Sequence, residues 1–187
     1  MLEQMVHAES SFVTLTYSPD KIPQGGTLVP KDLQDWLKRF RKAVAPVRVR
    51  FYAVGEYGDA TQRPHYHAAV FGYPGCVYGT TRNLPDPSTC CPGCNLVHTT
   101  WGKGRVFLGT LTRTSAQYIA GYVVKKMTDE NDDRLYGRHP EFARMSKMPG
   151  IGAPAVEAII SSLKDFNLDY TQTDVPSGLR HGNIIVS

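Results

Sequence analysis

Two histidines one residue apart, His65 and His67, stand in the run His-Tyr-His-Ala-Ala-Val-Phe at 65–71. A β-strand sends residues i and i+2 to one face. Both imidazoles therefore point the same way and can share one metal ion. Further along, Tyr118-Ile-Ala-Gly-Tyr122-Val-Val-Lys125-Lys126 carries two phenols four residues apart, followed by lysines. On a helix, Tyr118 and Tyr122 lie about 40° apart around the axis, with Lys125 about 20° to the other side of Tyr118. A histidine strand and a tyrosine helix together suit one chemistry: metal-assisted attack of a tyrosine on a DNA phosphate.

Glu56, one strand back across a hairpin, is the natural third ligand for His65 and His67. Imidazoles with a carboxylate suit Mn²⁺, and carboxylate with water suits Mg²⁺. Such an ion can polarise a phosphoryl group and orient it for attack. Free tyrosine, with a pKa of about 10, is a weak nucleophile at neutral pH. A neighbouring cation favours the phenolate. The same residues also fit a plainer reading. The histidines then sit on a half-exposed strand, and the tyrosines form a core face with lysines complementing the helix C-terminus.

The surrounding chain must supply the elements that hold these groups. Residues 12–17, Phe-Val-Thr-Leu-Thr-Tyr, alternate and are rich in β-branched and aromatic types, which predicts a strand. Residues 30–44 predict an amphipathic helix, with Leu33, Trp36, Leu37, Phe40 and Val44 on one face and Pro30 in the first turn. Residues 47–56 predict a second strand, 57–62 a loop, and 65–71 the antiparallel return strand. Residues 105–109 predict a strand. Thr114 or Ser115 is expected to cap a helix running to about residue 127. Helices are expected at 140–147 and 154–166, separated by a sharp turn at Pro149-Gly-Ile-Gly152. That turn also resembles the hairpin of a helix-hairpin-helix motif; a tight interhelical turn is the favoured reading.

Residues 73–100 change character. Prolines at 74, 85, 87 and 92 and all four cysteines, at 76, 90, 91 and 94, fall there. The segment reads as a loop-like insertion. Clustered cysteines in an intracellular protein suggest metal before disulfide. Cys91-Pro-Gly-Cys94 has the spacing of a zinc knuckle, and Cys76, Cys90 and His98 are near enough to complete four ligands. The favoured set is Cys76, Cys91, Cys94 and His98; the alternative is reduced, unligated thiols.

Composition bounds the rest. The 187 residues suffice for a domain with a core and a small appendage. At 41% hydrophobic and 20% charged, the chain is ordinary for a globular protein. Apolar runs are too short to span a membrane, and the N-terminus lacks a signal-peptide layout. An intracellular protein is expected, with no membrane partner. The net charge of +4 favours an anionic partner only mildly.

Four motifs occur in order: Phe-Val-Thr-Leu-Thr-Tyr (12–17), Gly-Glu-Tyr-Gly (55–58), Arg-Pro-His-Tyr-His (63–67) and Tyr-x-x-x-Tyr-x-x-Lys-Lys (118–126). They resemble the motifs of the HUH endonuclease superfamily. More closely, they resemble the rolling-circle replication initiators of gokushovirus-like microviruses, small single-stranded DNA phages. Lys-Arg-Phe-Arg-Lys (38–42), Trp-Gly-Lys-Gly-Arg-Val (101–106) and Met-Ser-Lys-Met-Pro-Gly-Ile-Gly (145–152) add to the likeness, which covers roughly residues 10–155.

The resemblance implies an α+β fold: a ferredoxin-like or RRM-like antiparallel sheet with packed helices and a Cys-containing loop insertion. It implies an endonuclease core at 1–128, interrupted at 73–100, and a C-terminal helical extension at 129–187. It implies Glu56, His65 and His67 as ligands of Mg²⁺ or Mn²⁺, Tyr118 and Tyr122 as paired nucleophiles, and Lys125 as their partner. Arg63 and Lys126, with Arg39, Arg41, Arg48 and Arg50, are the expected phosphate contacts. The implied activity is nicking and strand transfer of single-stranded origin DNA through a 5′-phosphotyrosine link. It would occur in the cytoplasm of the host bacterium, with the host replication helicase and polymerase as partners. A transposase or relaxase of the same superfamily is the alternative within the class. A non-enzymatic RRM-like module with a zinc knuckle is the alternative outside it.

Overall fold

The computed structural model describes residues 2–84, 86–125, 129, 131–165, 179–181 and 184–186. A short helix, α1 (Leu2–Met5), leads to strand β1 (Ser10–Thr16) and helix α2 (Pro30–Val44). Strands β2 (Arg50–Tyr57) and β3 (Pro64–Phe71) follow, then helix α3 (Pro92–Trp101), β4 (Val106–Thr110) and helix α4 (Arg113–Lys125). Strand β5 (Phe142–Met145), helix α5 (Ala153–Asp165) and the short strands β6 (Leu179–His181) and β7 (Ile184–Val186) complete the order.

The chain divides into two compact units. One, Glu9–Met145, holds the five-stranded sheet; the other joins the first eight residues to those from Ser146 onward. In the sheet unit every neighbouring pair is antiparallel, in the order β4-β1-β3-β2-β5. With α2 linking β1 to β2 and α3 linking β3 to β4, the first four strands have the β-α-β-β-α-β connectivity of a ferredoxin-like fold. The α+β expectation therefore holds, and β5 adds a fifth strand beside β2.

Alternation along the strands gives the sheet two different faces. Val13, Leu15, Phe51, Ala53, Tyr66, Ala68, Val70, Val106 and Leu108 are buried on one of them, with Leu33, Trp36 and Phe40 of α2 and Val97 and Trp101 of α3 in the same core. Helix α2 forms because its five large apolar residues share a stripe, Pro30 starts it, and Asp32 and Arg41 complement its dipole at opposite ends. The other face carries Glu56, His65 and His67, and α4 packs on it over β2 and β3.

Two expected elements are corrected. The 73–100 segment is not all loop, because Cys91 caps α3: its sulfur accepts the Cys94 amide, and Pro92 takes the first helical turn, where a missing N–H costs nothing. Residues 142–145 form β5 instead of a helix, since the open edge of β2 offers them a hydrogen-bond ladder from Tyr52 to Gly55. The sheet unit consequently runs past residue 128. The α4 cap also shifts. The Thr112 hydroxyl accepts the Ser115 amide, and the Ser115 hydroxyl accepts the Thr112 amide.

In the second unit α1 packs on α5, and β6 pairs with β7. The turn before α5 donates its Gly152 amide to the buried Glu3 carboxylate at 2.6 Å. An amide engaged this way serves the interhelical turn. Among the described residues no helix is long and apolar enough to cross a membrane.

Candidate active site

The hairpin register brings the three expected ligands together. Glu56 of β2 lies directly opposite His65 of β3. His65 Nε2 lies 2.8 Å from Glu56 Oε1, and His67 Nε2 lies 3.1 Å from the same oxygen. Both imidazoles thus converge on one carboxylate oxygen. Glu56 is only 1% exposed, yet its Oε2 has no hydrogen-bond partner.

The outer nitrogens are held as well. His65 Nδ1 lies 3.0 Å from the Arg63 carbonyl oxygen, which can only accept, so Nδ1 carries the proton. His67 Nδ1 lies 2.9 Å from Thr14 Oγ1 on β1, and Phe12 stacks on the ring at 5.4 Å. With Nδ1 protonated, a neutral His65 turns a lone pair toward the carboxylate. Two lone pairs at 2.8 Å repel unless a cation lies with them or the ring is itself cationic. Burial raises the Glu56 pKa, but hydrogen bonds from His65 and His67 outweigh it and hold the carboxyl at about 2. Two imidazole nitrogens, a charged carboxylate and a buried unpartnered oxygen suit a divalent cation. The three ligand atoms lie within 4.8 Å of one another.

Helix α4 closes the site from above. The Tyr118 hydroxyl donates to Glu56 Oε1 at 3.4 Å, and its ring meets His67 edge-on at 5.2 Å. Ile119, 2% exposed, seats the helix on the sheet. Tyr122 and Lys125 follow Tyr118 on α4, but their side chains, like Lys126, lie outside the described residues. On the β1–β4 half, Phe107 is 37% exposed, and its ring lies 6.4 Å from that of Phe12. An aromatic pair thus borders His67.

The opposite face fixes the histidine strand from behind. Tyr66, between the two histidines, is fully buried. Its hydroxyl donates to the Val29 carbonyl at 3.0 Å and lies 2.7 Å from the Tyr17 hydroxyl, which donates to Asp32. Burial pushes the Tyr66 phenol up to about 12, which keeps it neutral. Gly55 precedes Glu56 because a Cβ there would lie 2.7 Å from Cε1 of the Phe142 ring. Gly104, at φ 152°, lies so close to β1 that a Cβ would overlap Ser18 N and Thr16 O.

The basic residues divide. Arg63 is exposed but donates to the Tyr17 carbonyl at 2.9 Å. Arg39 donates to the Thr100 and Trp101 carbonyls at the end of α3. Arg41 lies over the Phe51 ring at 5.1 Å. A groove of about 500 Å³, lined by Lys31, Lys38, Arg41 and Arg144 among others, lies on the α2 side of the sheet, away from Glu56.

Sequence reasoning missed Thr14, Tyr66 and Cys90 as members of these clusters. The four cysteines come together, and His98 is not in their group, so the expected Cys76, Cys91, Cys94 and His98 set is corrected to Cys76, Cys90, Cys91 and Cys94.

The fold and site define an antiparallel α+β domain whose sheet presents a two-histidine, one-carboxylate cation set beneath a tyrosine-bearing helix. The chain belongs to the family of replication-associated protein ORF2, whose model matches residues 10–127. It is 31% identical over 149 residues to replication-associated protein ORF2 of Spiroplasma virus 4, covering 75% of this chain and 45% of that protein. It is 28% identical over 163 residues to replication-associated protein VP4 of Bdellovibrio phage phiMH2K, covering 83% of this chain and 50% of that one. Replication-associated protein ORF4 of Chlamydia phage 1 is 27% identical over 201 residues, covering 97% and 45%. The chain spans about half the length of these relatives. No solved structure matches it.

Proposed function

We propose that this chain is the nicking domain of a rolling-circle replication initiator that cuts and rejoins single-stranded origin DNA through tyrosine. The observation that carries this reading is the Tyr118 hydroxyl, 3.4 Å from the carboxylate oxygen that His65 and His67 also approach. Membership of a replication-associated family supports the biological role. Glu56, His65 and His67 would hold Mg²⁺ or Mn²⁺, which when bound supplies positive charge to polarise the scissile phosphate.

The chain's own groups perform the remaining work. The Glu56 hydrogen bond and the edge contact with His67 fix where the Tyr118 oxygen points. That oxygen attacks phosphorus as the bond from phosphorus to the 3′-oxygen breaks. The phenol's proton is in net delivered to the departing 3′-hydroxyl, leaving a 5′-phosphotyrosine. The free 3′-hydroxyl primes synthesis. Tyr122, four residues on, serves as the second nucleophile after one round. Lys125 stabilises phenolate or phosphate charge, and Arg63 and Lys126 contact the backbone. The host cytoplasm supplies the helicase and polymerase.

A labelled origin strand incubated with protein and Mn²⁺ should give a covalent adduct on a denaturing gel. His65→Ala, His67→Ala or excess chelator should abolish it. A non-enzymatic nucleic-acid-binding module predicts binding without any adduct. Full cleavage by either histidine variant refutes the ligand assignment.

A further inference from the structure

We propose that Cys76, Cys90, Cys91 and Cys94 bind one zinc ion as a tetrathiolate site that fastens helix α3 to the edge of β4. The four sulfurs lie within 4.8 Å of one another, and all four residues are buried. Cys76 Sγ is 3.7 Å from Cys90 Sγ and 3.8 Å from Cys91 Sγ. A zinc–sulfur bond of about 2.3 Å in a regular tetrahedron gives a sulfur–sulfur edge of about 3.8 Å. A disulfide needs about 2.05 Å. The sulfurs therefore have the spacing of ligands sharing one centre, not of bonded pairs.

Their surroundings fit thiolates. The Arg82 amide donates to Cys90 Sγ at 3.2 Å, and the Cys94 amide donates to Cys91 Sγ at 3.4 Å. The Thr81 hydroxyl lies 3.2 Å from Cys94 Sγ. Backbone donors aimed at sulfur are the outer-shell partners that orient metal ligands and balance their charge.

The cluster joins two parts of the chain. Cys76 opens a turn bridged to Gly79, and the adjoining Thr80 and Thr81 bond to the outer edge of β4. Cys91 and Cys94 belong to the start of α3. At its far end, α3 delivers Trp101, whose indole N–H donates to the Thr16 carbonyl at 2.9 Å and whose ring meets Tyr66. The zinc would thus hold in place the helix that backs the histidine strand. Its ligands include neither Glu56 nor the histidines, so it stands independently of the nicking proposal.

Metal analysis of the full chain, purified reduced and desalted, tests this. It should find about one zinc per chain. Cys90→Ser should lose it, and His98→Ala should retain it. Combined replacement of Glu56, His65 and His67 by alanine should leave the zinc in place. Because a cysteine variant can fail to fold, Co²⁺ exchanged into the unaltered chain gives a second reading. Strong thiolate-to-cobalt charge transfer with tetrahedral visible bands is expected. Zinc absent from the unaltered chain, zinc lost in His98→Ala, or a cobalt spectrum without thiolate bands overturns the assignment.

Discussion

Thr14 Oγ1 lies 2.9 Å from His67 Nδ1, across the β1–β3 pairing that sets Thr14 directly opposite His67. The hydroxyl gives Nδ1–H an acceptor, which leaves Nε2 free of its proton and turned toward Glu56. Outer partners of this kind are worth about 10- to 100-fold in metal affinity. Thr14→Val keeps the shape and removes the acceptor. The Mn²⁺ concentration for half-maximal cleavage should rise by about that factor, with the rate at saturating Mn²⁺ little changed, and Thr14→Ser should restore it. An unchanged Mn²⁺ dependence would remove Thr14 from the site.

Glu56 should leave a mark on acid stability when chelator keeps the protein metal-free. Its pKa in the folded chain is about 2, against an ordinary 4.5. A depressed carboxylate contributes stability that is present above the ordinary value and lost as pH falls toward the folded one. The unaltered chain should therefore lose stability between pH 4.5 and 2 more steeply than Glu56→Gln. Urea midpoints measured across that window give the comparison. Parallel curves would mean that the hydrogen bonds from His65 and His67 do not hold the carboxylate charged.

The metal set was legible because two local rules sufficed. Period-two alternation put His65 and His67 on one face, and a hairpin turned Glu56 back to meet them. Thr14 was not legible, since its meeting with His67 depends on the register between strands separated by α2 and β2. The four residues of β5 carry no alternation signal; they become a strand only because β2 offers an edge. Likewise, Cys91-Pro-Gly-Cys94 looks like a bare turn until Cys91 is seen capping α3. Cys90 joins the cluster through tertiary folding around Cys76, which sequence spacing cannot rank against His98. Tyr118 was legible as a face of α4, and its distance to Glu56 was not.

Phe107 tests whether the open half of the sheet handles bases. Helix α4 packs over β2 and β3, while Phe107 on β4 remains 37% exposed beside Phe12 and His67. An aromatic ring on an open sheet can stack one base, worth about 1–3 kcal/mol. Phe107→Ala should weaken single-stranded DNA binding by about 5- to 150-fold. The slope of affinity against salt should stay the same, because no phosphate contact is removed. Fluorescence anisotropy over a salt series measures both quantities. A changed slope with unchanged affinity in low salt would place the strand elsewhere.

Tyrosine replacement is the sharpest test of mechanism. Phenylalanine keeps each ring, and with it the edge contact of Tyr118 on His67, but removes the oxygen that faces Glu56. If the tyrosines only pack, Tyr118→Phe and Tyr122→Phe leave cleavage intact. If they are nucleophiles, each single variant keeps part of the activity, and the double variant forms no adduct. Tyr118→Phe should be the more damaging, since its hydroxyl already lies 3.4 Å from the shared carboxylate oxygen. Rejoining needs two successive attacks and should suffer in both single variants. Mass spectrometry of the adduct peptide identifies the attached residue. DNA linked to neither tyrosine, together with cleavage by the double variant, would overturn the mechanism while leaving the cation set to be explained on other grounds.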